Sequence, residues 1–142
     1  MELKKVYLAN LQVGSVMLHN LHWNVTGHAF KQVHEYLDVL YEEFGEMLDE
    51  VAERIRMDGE IAPASLKRFI ELTDLEEYDD STKPMREVIQ KAHSLLKHMR
   101  EQAADIRNKA DEVNEFMWVA LMEDQIAFYD KELWFMREML AE

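Results

Sequence analysis

The sequence predicts an all-α fold: a bundle of four long helices, with a short extra helix between the second and third. Three observations lead there. Only four glycines and two prolines interrupt 142 residues. Between those interruptions apolar residues recur three and four positions apart, the period of an amphipathic helix. No segment alternates apolar and polar residues as a half-buried strand would. With 48% of the residues in the hydrophobic set the chain can bury a sizeable core, so one domain spanning 1–142 is expected.

The first run carries Leu3, Val6, Leu11, Val13, Met17, Leu21 and Val25 at helical spacing, and Gly27 suits a left-handed residue that ends a helix. From Val6 to Phe30 there is no Asp, Glu, Lys or Arg. Asn10, Gln12, His19, Asn20, His22, Asn24 and His28 nevertheless place too many polar groups there for a membrane span. The second run starts near Phe30 and continues through Leu37, Phe44 and Val51 to a stop at Gly59. Pro63 suits the first turn of the short helix, which has Leu66, Phe69 and Ile70 on one side. Residues Thr73 to Lys83 are acidic and without periodicity, as expected of a loop. Ser81 or Thr82 can cap the next helix with Pro84 in its first turn, and Val88, Ala92, Leu95, Met99 and Ile106 mark its buried face. The fourth run is aromatic, with Phe116, Trp118, Phe128, Tyr129, Trp134 and Phe135. Its aromatic stripe and the ten methionines read as core packing.

Sixteen Lys and Arg stand against 29 Asp and Glu, a net charge of −13. Nucleic-acid affinity rests on clustered cations, so a phosphate-binding surface is disfavoured, whereas an acidic field attracts metal ions. Without cysteine, any metal must bind through nitrogen or oxygen. No short apolar stretch followed by a small-residue cleavage site occurs, so a cytoplasmic location is expected.

Chemistry is expected among the histidines and carboxylates of the first two helices. His19, His28, His93 and His98 read as structural. His34 and Asp38, and likewise Asp49 and Glu53, are four residues apart, so each pair shares a helix face. At about 100° per residue, with His34 at zero, Asp38, Asp49 and Glu53 lie near about 40°, 60° and 100°, forming one stripe. A rise of ~1.5 Å per residue separates His34 from Asp49 by roughly 22 Å, too far for one metal centre. The stripe therefore holds two half-sites. Residue numbers 34 and 53 average 43.5, and so do 38 and 49. An antiparallel copy of the helix, related by a two-fold axis near that midpoint, would set His34 and Asp38 of one chain opposite Glu53 and Asp49 of the other. Gly45 near the crossing would allow close approach, and His22 can complete each histidine half. The same spacing also suits a solvated acidic face on which two histidines fall by chance.

The run His22-Trp23-Asn24-Val25-Thr26-Gly27, then Val33-His34 and Asp38, then Leu48-Asp49-Glu50-Val51-Ala52-Glu53-Arg54-Ile55, resembles the signatures of the Dps family, the dodecameric mini-ferritins. The motif match covers residues 22–55; elsewhere the likeness is one of helix order and length. The resemblance implies a ferritin-like bundle and a ferroxidase centre holding two iron ions between subunits. His22, His34 and Asp38 would come from one chain, Asp49 and Glu53 from its mate. It implies oxidation of Fe(II) by hydrogen peroxide or dioxygen, storage of the ferric mineral in a dodecameric shell, and protection against oxidative damage. Imidazole and carboxylate ligands suit that chemistry. Trp23 occupies the place the family uses for an oxidisable aromatic, though packing would also account for it. Asp111, Glu112 and Glu115 are the local candidates for the family's iron-entry pore, and they equally suit favourable charge at a helix N-terminus.

Direct DNA binding, which the family achieves through basic terminal extensions, is not expected: the N-terminus offers only Lys4 and Lys5 beside Glu2, and the last residue is Glu142. A ferritin with its di-iron centre inside one bundle would use Glu-x-x-His pairs, and none occurs. The alternative from another class is a non-enzymatic helical shell or adhesion module whose acidic face binds cations.

Overall fold

The computed structural model describes residues 1–141; Glu142 lies outside the described residues. In chain order the elements are α1 (Glu2–Asn24), β1 (Val25–Thr26), α2 (Phe30–Met57), α3 (Leu66–Leu72), β2 (Lys83–Pro84), α4 (Met85–Glu112) and α5 (Phe116–Leu140). Helix α1 packs along α2, and α4 along α5; α1 also meets α4, and α3 lies against α1. This is the expected four-helix bundle with a short fifth helix.

The apolar faces meet in one core. Leu8, Leu18, Leu37, Phe44, Leu96, Trp118 and Met122 are almost wholly buried there. Met17, Met47, Met99 and Met136 join them, so these methionines are packing residues. The aromatics of α5 divide: Trp118 and Tyr129 are buried, whereas Phe116 and Trp134 are 73% and 50% exposed. Several buried polar groups pair with one another. The Tyr7 hydroxyl donates to Gln125 Oε1 at 2.6 Å and lies 2.6 Å from the Tyr129 hydroxyl, which therefore donates to it. Burial raises both phenols above their usual range.

A Cβ at Gly14 would lie 2.8 Å from Phe44 Cε2, so this glycine lets α1 approach α2 closely. Gly14→Val is expected to cost about 1–3 kcal/mol by overpacking, even though valine is the better helix former. Urea unfolding monitored by circular dichroism checks this, and an unchanged midpoint would contradict the packing.

The ends of the helices differ from the sequence reading. Helix α1 stops at Asn24 rather than at Gly27, because Val25 and Thr26 pair in parallel with Lys83 and Pro84. Two residues are too short to leave an alternating pattern in the sequence. Helix α3 starts after Ser65, whose Oγ accepts from the Arg68 amide at 3.2 Å, so Pro63 lies before the helix instead of in its first turn. Helix α4 begins at Met85, and neither Ser81 nor Thr82 caps it. Ser81 Oγ instead donates to Asp79 at 2.7 Å, while the buried Lys83 ammonium donates to the carbonyls of Asp79 and Ser81. The lysine thus replaces a helix cap as the organiser of that loop. Among the described residues no helix is long and apolar enough to cross a membrane.

Candidate metal centre

Helix α1 brings His22 to its last turns, and the turn that follows returns the chain into α2. Gly27 makes that return possible: its φ is +140°, and a Cβ there would meet Met85 at 2.8 Å. The β1–β2 pairing ties the same turn to the Lys83 loop. Consequently His22 on α1 faces His34 in the second turn of α2.

The two rings stack, with centroids 3.7 Å apart and planes 11° from parallel. His22 Nδ1 donates to the His34 carbonyl at 2.6 Å, and His34 Nδ1 donates to the His22 carbonyl at 2.7 Å. A carbonyl can only accept, so both Nδ1 atoms carry hydrogen and, in the neutral rings, Nε2 is left with the lone pair. Such backbone anchoring fixes tautomer and ring orientation in metal-binding histidines. Phe30 stacks on the far side of His34 at 5.0 Å.

Asp38, one turn beyond His34, completes the group. Its Oδ1 lies 3.2 Å from His22 Nε2 yet is buried without a hydrogen bond. With Nδ1 donating to the backbone, a neutral His22 has no N–H to offer that oxygen, and a metal ion bound between the two would satisfy both. Two nitrogens and a carboxylate are donors suited to ferrous iron. Tyr41 stands beside them, its ring edge-on to His22 at 5.2 Å. Burial raises the Tyr41 hydroxyl above its ordinary value, and the neighbouring Asp38 carboxylate raises it further.

Asp49 and Glu53 lie farther along α2, both exposed. They do not meet the histidine group within the chain. Among the described residues no three His, Asp or Glu side chains are gathered tightly enough to hold an ion. The acidic half sits in a strongly negative field: burial, with Asp124, Glu46, Asp49 and Glu53, pushes the Glu50 carboxyl up. Glu53 also edges a groove between α2 and α5 that Glu50, Met57, Met117 and Asp124 line. A Cβ at Gly45 would meet nothing within 4 Å, so no contact inside this chain requires that glycine.

Trp23 is 66% exposed and 5.3 Å from the His19 ring, so core packing does not account for it. His19 is a supporting residue, its Nδ1 donating to the Ser15 carbonyl at 2.7 Å. The pore candidates separate. Asp111 and Glu112 occupy the last turn of α4, where a helix N-terminus gives no account of their charge, and Glu115 directly precedes α5. Lys4 bonds both carboxylate oxygens of Glu115 at 3.1 Å, and Arg107 lies 3.6 Å from Asp111.

A family model described as the ferritin-like domain matches residues 6–142. The "DNA protection during starvation protein" of Listeria innocua serovar 6a is 36% identical over 140 residues, covering 94% of this chain and 86% of that one. Its Helicobacter pylori J99 counterpart is 30% identical over 138 residues, covering 94% and 96%. Among solved structures, antigen TpF1 from Treponema pallidum superposes with a TM-score of 0.97 at 26% identity, over 99% of this chain and 90% of that one. A Dps structure from Listeria innocua, soaked with zinc, gives 0.93 at 32% identity, over 98% and 94%.

Proposed function

The chain belongs to the Dps family of ferritin-like proteins, and on that premise we propose that it is an iron-storing mini-ferritin with ferroxidase activity. The observation that carries the reading is the His22–Asp38 pair: a buried carboxylate oxygen without a hydrogen bond, 3.2 Å from an imidazole nitrogen that has a lone pair when the ring is neutral. Fe(II) is the substrate. His22, His34 and Asp38 of one chain hold it, and Asp49 and Glu53 of a second chain close the site, which binds two ions. Asp49 and Glu53 are exposed and surrounded by like charge, so a cation shared across the interface relieves their repulsion.

Two ferrous ions each give one electron to hydrogen peroxide, which takes up two protons and leaves as two waters. With both electrons available at one site, no hydroxyl radical is released. Carboxylates stabilise the ferric product more strongly than the ferrous substrate, which drives oxidation before the iron passes to storage inside a shell of twelve chains. Dioxygen is the alternative oxidant. Exposed Trp23 is in place to be oxidised if an electron is missing, Asp111, Glu112 and Glu115 are the candidates for the entry pore, and protection of DNA follows from removal of iron and peroxide. The cytoplasm, where both substrates arise, is the proposed location.

The test combines solution mass with Fe(II) loss after addition of hydrogen peroxide. A particle near twelve chains that sustains oxidation supports the reading. A monomer, or binding without oxidation, supports instead a helical module whose acidic face only binds cations. Protection by direct contact with DNA is not part of the proposal: at a net charge of −13 the protein is expected to leave duplex DNA unretarded in a gel at neutral pH and physiological salt without divalent cation. A clear shift under those conditions would reveal a cationic surface.

A further inference from the structure

Met85, the first residue of α4, packs against the turn that joins the two histidine-bearing helices. A Cβ at Gly27 would stand 2.8 Å from Met85 Cε and 2.9 Å from its Cγ and Sδ, so the side chain is pressed along the glycine. The Ala29 amide donates to the same sulfur at 3.1 Å. Ala29 directly precedes α2; its carbonyl accepts from the Val33 amide, and that of Gly27 from the Phe30 amide, both at 3.1 Å. The sulfur therefore holds the entry of α2, and with it the place of His34 opposite His22.

Met85 is also within reach of small molecules. It is half-buried and lines a groove of about 410 Å³ together with Val33, Ile89 and Met139. By contrast, Met17, Met47, Met99, Met122 and Met136 are at most 5% exposed. A thioether sulfur is a weak acceptor, and peroxide converts it to a sulfoxide. In that step a sulfur–oxygen bond forms and the peroxide O–O bond breaks. Sulfur gives up two electrons, and the second oxygen leaves as water with both peroxide hydrogens. The new oxygen disturbs the turn wherever it is placed. Against Gly27 it displaces the backbone, and toward Ala29 it takes the place of the amide. Toward the groove, it leaves a positively polarised sulfur facing the Ala29 N–H.

We propose that Met85 is a peroxide modification site whose sulfoxide loosens the histidine half of the metal centre. The proposal rests on the reading of His22 and His34 as ligands and adds a control to it: peroxide that bound iron does not consume oxidises the sulfur that holds their turn. An amide left without its acceptor corresponds to a loss of about fivefold or more, which is the fall in metal affinity expected on oxidation.

Cobalt(II) serves as the probe because its visible absorption reports ligand geometry without turnover. Wild type, Met85→Leu and His34→Ala are assembled free of iron and titrated with cobalt before and after hydrogen peroxide. Particle mass is recorded, and oxidised methionines are mapped by mass spectrometry. The expected result is a Met85 sulfoxide while the five core methionines stay unmodified. With it, the wild-type cobalt affinity falls about fivefold or more, whereas Met85→Leu keeps one affinity throughout. If Met85→Leu does not assemble, methionine sulfoxide reductases acting on treated wild type decide: affinity that returns as the Met85 sulfoxide disappears supports the proposal, and a lasting loss contradicts it. An unmodified Met85 where Met139 is oxidised, an undiminished affinity with Met85 oxidised, or an equal fall in Met85→Leu would overturn the proposal alone. A wild-type spectrum identical to that of His34→Ala would remove the histidine site, and the proposal with it.

Discussion

Asp49→Asn combined with Glu53→Gln is expected to abolish rapid Fe(II) oxidation while leaving the particle assembled. The two substitutions keep side-chain shape and remove ligand charge. Both residues are exposed on α2, so no core packing is lost, and surface changes of this kind usually alter stability by no more than about 0.5 kcal/mol. The effect on chemistry is far larger. Changes to groups that only orient a ligand cost about 10–100-fold at metal sites, so removal of two anionic ligands is expected to slow the initial rate by more than about 100-fold. The same variant has a consequence that needs no iron. Asp49 and Glu53 help to push the Glu50 carboxyl up, so their neutralisation moves Glu50 back toward its ordinary value. Carbon-detected NMR titration of the glutamate carboxyls reads that shift. Oxidation at the parental rate would make both residues surface decoration.

The helices were legible in the sequence because each is amphipathic and because glycine and proline are so few. Gly59 is left-handed with φ +87° just past the end of α2, as a glycine stop should be. What the pattern misplaced were ends set by side-chain bonds and strand pairing, which apolar periodicity does not record. Nothing local to Ser81 or Thr82 reveals that Lys83 will be buried and bonded to the carbonyls behind it, or that Val25 will pair with Lys83. Likewise Glu115 sits where a pore carboxylate was sought, but its lysine partner is 111 residues away.

The candidate site was legible to the same degree. Four-residue spacing located His34 and Asp38 on one face, and the structure sets His22 against both. Spacing carries no information on which ring nitrogen is anchored. That depends on two backbone carbonyls brought together by the turn at Gly27. Tyr41, between Leu37 and Phe44, has the helical spacing of a core aromatic, yet its ring stands beside His22 and His19. The one available signal was its place three residues after Asp38, on the ligand face. His19, expected to be structural, donates to the Ser15 carbonyl and packs on Tyr41, a contact visible only in three dimensions.

The central claim is that each iron centre is built from two chains, and co-assembly of two inactive variants tests it most directly. One chain carries His22→Ala and His34→Ala; the other carries Asp49→Asn and Glu53→Gln. Each alone lacks one half of every site and is inactive. In a mixed two-fold dimer one site receives both damaged halves, while the other receives intact histidines from the second chain and intact carboxylates from the first. With equal amounts mixed at random, half of the dimers are mixed and half of their sites are whole, so about a quarter of all sites recover. The two variants are refolded together, mixed particles are verified by mass spectrometry, and the initial rate of Fe(II) loss is compared with that of the parent. The shared-site account predicts about one quarter of the parental rate; verified mixing with no regained activity would contradict it.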